Sequence, residues 1–77
     1  MITYEASEKD KKNIENNFKY HTPKNGQSEK YEEIRAQAKE LAKKLVQLCP
    51  PSRELSLALT ELESAVMWAN AAIARNE

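Results

Sequence analysis

Cysteine, histidine, glycine and aspartate each occur once in this chain, as Cys49, His21, Gly26 and Asp10. Each scarcity removes a class of explanation. A lone cysteine excludes an intrachain disulfide, and one cysteine with one histidine supplies too few ligands for a Cys/His metal site. A single glycine excludes a Gly-rich phosphate loop. No apolar run is long enough to span a bilayer, and the chain opens Met-Ile-Thr-Tyr and then turns charged, without the apolar core of a signal peptide. The expected compartment is a reducing cytoplasm. Twelve basic and twelve acidic residues cancel, which argues against coating long nucleic acid, because that affinity comes from many Lys/Arg contacts to phosphates. Small anions remain open, since a few local cations suffice for those.

Catalysis is poorly served. His21 has no cysteine near it in sequence, Asp10 sits in the polar N-terminal part, and the glutamates are spread over polar helix faces where a solvated charge is the plain reading. The chain is read as a non-enzyme without cofactor or metal.

What the sequence does have is helical periodicity. Leu55, Leu59, Leu62, Val66, Ala69 and Ile73 recur at alternating steps of four and three, laying one stripe along a long helix over residues 52–76. Ala58, Ala65 and Ala72 form a second stripe at steps of seven, flanked by Leu57, Met67, Trp68 and Ala71. A helix apolar over more than one face needs more than one neighbour. Trp68 is expected to pack on another protomer there, and the alanines would let two helices approach closely.

A second amphipathic helix is predicted over 28–49, N-capped by Ser28, with Tyr31, Ile34, Ala38, Leu41, Leu45 and Leu48 on its stripe. Cys49-Pro50-Pro51 ends it and Ser52 caps the next helix. So short a connection makes the two antiparallel neighbours. Tyr31 to Leu48 spans roughly 26 Å and Ser52 to Arg75 roughly 35 Å, so the last helix overshoots. Pairing Leu48 with Ser52 sets Tyr31 opposite Ala69 and brings Arg75 beside the loop holding Lys24 and Asn25.

Upstream, residues 1–17 are read as a short, loosely held helix capped by Ser7, or else as a frayed tail, with Ile14 and Phe18 as its one apolar patch. Residues 18–27 form a loop, since Pro23 favours an extended Thr22 and Asn25-Gly26 signals a turn. The whole is one all-α domain, 1–77. Below ~70–80 residues a core rarely supplies more than about 3–5 kcal/mol; with disulfide and metal excluded, oligomerisation is the remaining supplement.

Binding chemistry gathers on the loop. Phe18-Lys19-Tyr20-His21, Lys24 and Lys30 put flat rings and cations within a dozen residues, ahead of a helix N-terminus. A nucleotide needs a π-face for its base, which Tyr20 and His21 offer. It also needs cations or free N–H groups for its phosphate, which the helix start, Lys30 and Arg75 offer. The plainer reading keeps Phe18 and Tyr20 as packing residues and the lysines as surface charge. A helical adaptor without nucleotide binding explains the two stripes equally well.

The combination Phe18-Lys-Tyr-His, Gly26-Gln-Ser-Glu-Lys-Tyr, Leu48-Cys-Pro-Pro-Ser-Arg-Glu, Ala58-Leu-Thr-x-Leu-Glu and Val66-Met-Trp-Ala-Asn-Ala-Ala-Ile-Ala-Arg resembles the phage anti-CBASS cyclic-oligonucleotide sponge family. The likeness runs from Phe18 to the C-terminus, and its last segment is the most specific. It implies a small helical protein assembled as a homohexamer in the cytoplasm of an infected bacterium. Such a protein sequesters cyclic di- and trinucleotides without cleaving them, so that the effector is never activated. It also implies two kinds of pocket. Tyr20 matches the stacking aromatic and Lys30 the phosphate-binding cation, with Lys24 and His21 as helpers for cyclic dinucleotides. Asn70 and Arg75 are the candidates for a cyclic-trinucleotide site or for a ligand held by a neighbouring protomer.

Overall fold

The computed structural model describes residues 3–77; Met1 and Ile2, the first two of the 1–17 segment, lie outside the described residues. Three helices follow in order, α1 (Glu8–Asn17), α2 (Gln27–Leu48) and α3 (Arg53–Asn76), with no strand among the described residues. Their ends follow local chemistry. Ser7 Oγ accepts from the Asp10 N–H at 3.1 Å and Ser52 Oγ from the Leu55 N–H at 3.1 Å, each satisfying a first-turn donor that the helix leaves free.

The start of α2 departs from the sequence reading. The cap is Gly26, not Ser28, and the helix already begins at Gln27. Gly26 has φ 87° and ψ −14°, the conformation of the third residue of a type II turn, and the Gln27 N–H closes that turn on the Lys24 carbonyl at 3.0 Å. Positive φ belongs to Gly26 alone among the described residues, so Asn25 does not share it. At the other end α2 stops at Leu48, one residue short of the predicted 49. Cys49 is extended (φ −110°, ψ 140°) because Pro50 bars the residue before it from helical geometry.

α2 and α3 pack as an antiparallel hairpin. On α3 the stripe reads as expected, with Leu55, Leu59, Leu62, Val66, Ala69 and Ile73 all half-buried. On α2 it does not. Leu41 is 47% and Leu48 81% exposed, and the half-buried positions are Tyr31, Ile34, Ala38, Ala42, Leu45 and Cys49. Two steps of four around Ala38 keep this stripe on one face, and small alanines at its centre face the larger α3 side chains. The expected register holds: carried one turn past Tyr31 and Ala69, it sets Gln27 against Ile73, where the Gln27 Nε2–H donates to the Ile73 carbonyl at 3.5 Å.

The protomer is thin and open. It measures 49 × 41 × 14 Å with a radius of gyration of 17.4 Å, where a compact domain of this length would have roughly 11.5 Å. Its accessible surface is 6851 Å², against roughly 4,800 Å² for a compact monomer of this mass. No apolar side chain among the described residues is fully buried. Trp68 is 61% exposed, and Met67, Leu57 and the stripe Ala58, Ala65 and Ala72 are likewise exposed, so within one protomer that second face of α3 has no neighbour. Ile14 and Phe18 are exposed too, which removes the reading of Phe18 and Tyr20 as packing residues of α1. No helix among the described residues is long and apolar enough to cross a membrane.

Candidate functional site

The overshoot of α3 brings its last turn to the loop before α2, and the polar groups of the chain converge at this open end of the hairpin. The hub is Gln27, the one fully buried polar residue among those described, at 3% exposure. Its Oε1 accepts from the Lys24 N–H at 2.9 Å while its own N–H donates to the Lys24 carbonyl, so the turn is clasped from both sides. Its Nε2 then ties that turn to α3 at Ile73.

On this clasp stand two cations. Lys30, in the first turns of α2, places Nζ 2.8 Å from Glu77 Oε2, and Lys24 Nζ donates to the main-chain carbonyl of the same Glu77. The Lys30 ammonium, hydrogen-bonded to the carboxylate, holds the Glu77 carboxyl below its ordinary value of 4.5, with partial desolvation opposing it and the Gln27 amide and then the Lys24 charge adding to it. The pair is half-solvated, so it steers geometry more than it stabilises the fold.

Beside it, α1 is moored by two bonds. The Asn16 Nδ2–H donates to the Arg75 carbonyl at 3.3 Å, and His21 Nε2 lies 2.8 Å from the Asn16 carbonyl, an arrangement that needs the imidazole proton on Nε2. Tyr20, next to His21, points away from the protomer at 81% exposure, with its ring faces free. Of the loop residues singled out from sequence, Lys24 and Lys30 therefore meet; His21 is engaged with Asn16; Tyr20 is near them in sequence but unpacked.

Asn70 and Arg75 do not share a hollow. Asn70 lines a shallow cleft of about 340 Å³ with Tyr31, Arg35, Ala71 and Ala74. Its Oδ1 is buried without a hydrogen-bond partner, a state that costs free energy. Arg75 lies a little over one turn further along α3, half-buried, and its carbonyl is the one that holds Asn16. A second depression, a groove of about 900 Å³, runs along the hairpin over Ala38, Ala42, Val46, Leu59, Leu62 and Val66. No cluster of metal-ligating side chains occurs among the described residues.

Sequence reasoning missed Gln27, Glu77 and Arg35. Gln27 was legible in principle, since the register that pairs Tyr31 with Ala69 brings it to Ile73. Glu77 extends the α3 stripe one further step of four beyond Ile73. Arg35, one turn after Tyr31, carried no signal beyond being a cation on a polar face.

Residues 10–74 match the family model of the Acb2/Tad1 hairpin domain. The chain belongs to that family. The Acb2/Tad1 hairpin family is the anti-CBASS cyclic-oligonucleotide sponge family, so the resemblance drawn from the sequence motifs is correct, and it extends upstream of Phe18 to take in most of α1. The family sequesters its messengers and is not one of enzymes. Its hairpin is the α2–α3 unit described above. No curated protein and no solved structure matches the chain.

Proposed function

We propose that this chain binds cyclic dinucleotides and cyclic trinucleotides intact and withholds them from CBASS effectors in the cytoplasm of the infected bacterium. It acts as a homo-oligomer, a hexamer as the motif resemblance implies. The observation that carries this reading is the meeting of Lys24 and Lys30 on one anionic residue, with the exposed ring of Tyr20 one short loop ahead of them in the chain. Two cations within reach of the acceptor oxygens of one residue are equally within reach of a phosphodiester, and Tyr20 has both faces available for a base.

A cyclic dinucleotide has approximate two-fold symmetry, so two copies of this end of the hairpin would each take one base and one phosphate. Each stack contributes about 1–3 kcal/mol and each ~1.4 kcal/mol tightens Kd tenfold. Two stacks and at least two charge-assisted contacts thus reach nanomolar affinity after the cost of ordering the loops. Assembly is supported by the protomer itself, which buries no apolar side chain completely and leaves the Trp68 face open. Another copy covering that face supplies the missing core.

A second site is favoured by one further observation, the unpartnered Oδ1 of Asn70 beside Tyr31 and Arg35. A base edge or ribose hydroxyl would donate to it. That cleft is assigned to the cyclic trinucleotide, with Arg75 contacting a ligand seated on a neighbouring protomer.

Titration calorimetry of the wild-type protein with 3′,3′-cyclic GMP-AMP and with a cyclic trinucleotide tests the reading. Binding heat and a raised melting temperature are expected for both. No heat and no shift with either would leave only the adaptor role. Chromatography of ligand recovered from the heat-denatured complex should return it intact, whereas linearised product would contradict capture without cleavage.

A further inference from the structure

The cation pair at the open end of the hairpin is not vacant in the free protein, because Glu77 already occupies it. We infer that Glu77 is an internal competitor: it holds Lys30 and Lys24 where the phosphate of a ligand would, so that capture proceeds by exchanging one anion for another. This rests on the reading of Lys24 and Lys30 as phosphate ligands given above.

Three observations carry it. First, the contacts are of the right kind. Lys30 Nζ reaches a Glu77 carboxylate oxygen at 2.8 Å, and Lys24 Nζ reaches the Glu77 main-chain carbonyl, so both ammonium groups are turned toward the same residue. A carboxylate and a phosphodiester each carry one negative charge and present paired oxygens to an ammonium donor.

Second, Glu77 is free to leave. Its side chain is 42% exposed and Lys30 53%, so neither is held by packing. The residue follows the last helical position of α3, and rotation of its side chain breaks no backbone hydrogen bond, the one from its own N–H to Ile73 included.

Third, the platform survives its departure. The Lys24 backbone is clasped by buried Gln27, and Gln27 is anchored on the Ile73 carbonyl; the Gln27 amide also leans on the Glu77 carboxylate, and departure of Glu77 gives up that contact while these two bonds remain. Once the carboxylate swings out, Lys24 stays on its clasped turn and Lys30 on the first turns of α2, and both ammonium groups are released to an incoming anion. The lowered pKa of the Glu77 carboxyl agrees, since the group is ionised and competing at neutral pH.

The consequence is a tuned affinity. An anion that displaces Glu77 gains only the difference between two similar ion pairs, so sulfate, chloride and linear phosphates gain little. A cyclic dinucleotide adds base stacking and wins.

Calorimetry with 3′,3′-cyclic GMP-AMP on wild type, Glu77→Gln, Lys30→Ala and the double variant tests this, together with inorganic phosphate followed by shifts of the Lys24 amide resonance. Removing the competitor should tighten the dinucleotide by roughly two- to fivefold, the effect of releasing one exposed ion pair, and the gain should vanish in the Lys30→Ala background. Inorganic phosphate should perturb Lys24 at lower concentration in Glu77→Gln than in wild type. Dinucleotide binding that is intact in wild type but unchanged or weaker in Glu77→Gln would overturn the inference and leave nucleotide capture standing. Should no variant bind the dinucleotide, capture fails, and the phosphate titration alone decides: a stronger response in Glu77→Gln supports the internal competitor, and equal responses sink it.

Discussion

Lys24 and Gln27 bond one another twice, main chain to main chain at 3.0 Å and Lys24 N–H to Gln27 Oε1 at 2.9 Å, and through Gln27 the turn is tied to Ile73 at the far end of the chain. The clasp fixes the backbone that carries Lys24 and the first residue of α2. Its neighbours are solvated, and Gln27 is not.

Gln27→Ala should therefore be costly out of proportion to its size. It leaves the Lys24 N–H and the Ile73 carbonyl without these partners at a buried position, a loss of about 1–3 kcal/mol. Urea denaturation at fixed protomer concentration should show the midpoint falling with the slope unchanged, and a midpoint equal to wild type would mean that water replaces the amide freely.

Gly26→Ala isolates the conformational part of the same turn. A Cβ at Gly26 meets no atom within 4 Å, so the whole penalty is that of holding an L-residue at φ 87°. About 1–2 kcal/mol is expected, read from the same denaturation curves, with Gly26→Asn costing less than Gly26→Ala because asparagine tolerates this region.

Tyr20→Ala separates binding from folding. The side chain is almost wholly exposed in the protomer, so the melting temperature of the ligand-free protein should stay close to wild type. Affinity for 3′,3′-cyclic GMP-AMP should fall by one to two orders of magnitude, as roughly 1–3 kcal/mol of stacking per base is lost. A large drop in melting temperature with unchanged affinity would make the ring structural.

Ala65→Glu addresses assembly. Ala65 is exposed in the single protomer and centred on the face that carries Trp68, so a glutamate there is harmless to an isolated hairpin and destructive to a helix–helix contact between copies. Light scattering should show wild type as an oligomer and Ala65→Glu as a smaller or unfolded species. A wild-type protein that is monomeric at micromolar concentration would refute the oligomer outright.

Acid should open the ion pair of Glu77. Its carboxyl lies below the ordinary 4.5 because the Lys30 ammonium favours the ionised form. The associated stability is therefore fully present above about pH 4.5 and is lost as pH falls through the depressed folded-state value. Carbon-detected NMR titration should give Glu77 a lower midpoint than in Lys30→Ala. Identical midpoints would show that the pair does not form in solution.

Much of this architecture is local and was legible residue by residue. Ser7 and Ser52 cap as their side chains dictate, the prolines after Cys49 break the chain where a missing N–H must, and the α3 stripe buries as its spacing requires. The same reading erred on α2. It chose the largest apolar residues, Leu41 and Leu48, for the facing stripe, and the structure turns them outward in favour of Ala42 and Cys49. Spacings of three and four admit both sets; the rotation of α2 about its axis is fixed only by how it packs on α3. Ser28 failed as a cap for a related reason, since the turn closed on Gln27 begins the helix earlier.

Three helices, the hairpin and its register were already written in the order of the residues, because periodicity, capping and proline chemistry act over a few residues. Which groups meet was settled by packing: Gln27 with Ile73, and Lys30 and Lys24 with Glu77, while the Oδ1 of Asn70 was left without a hydrogen-bond partner among the described residues. Those encounters join positions about fifty residues apart, through side-chain reach and helix rotation that packing alone sets.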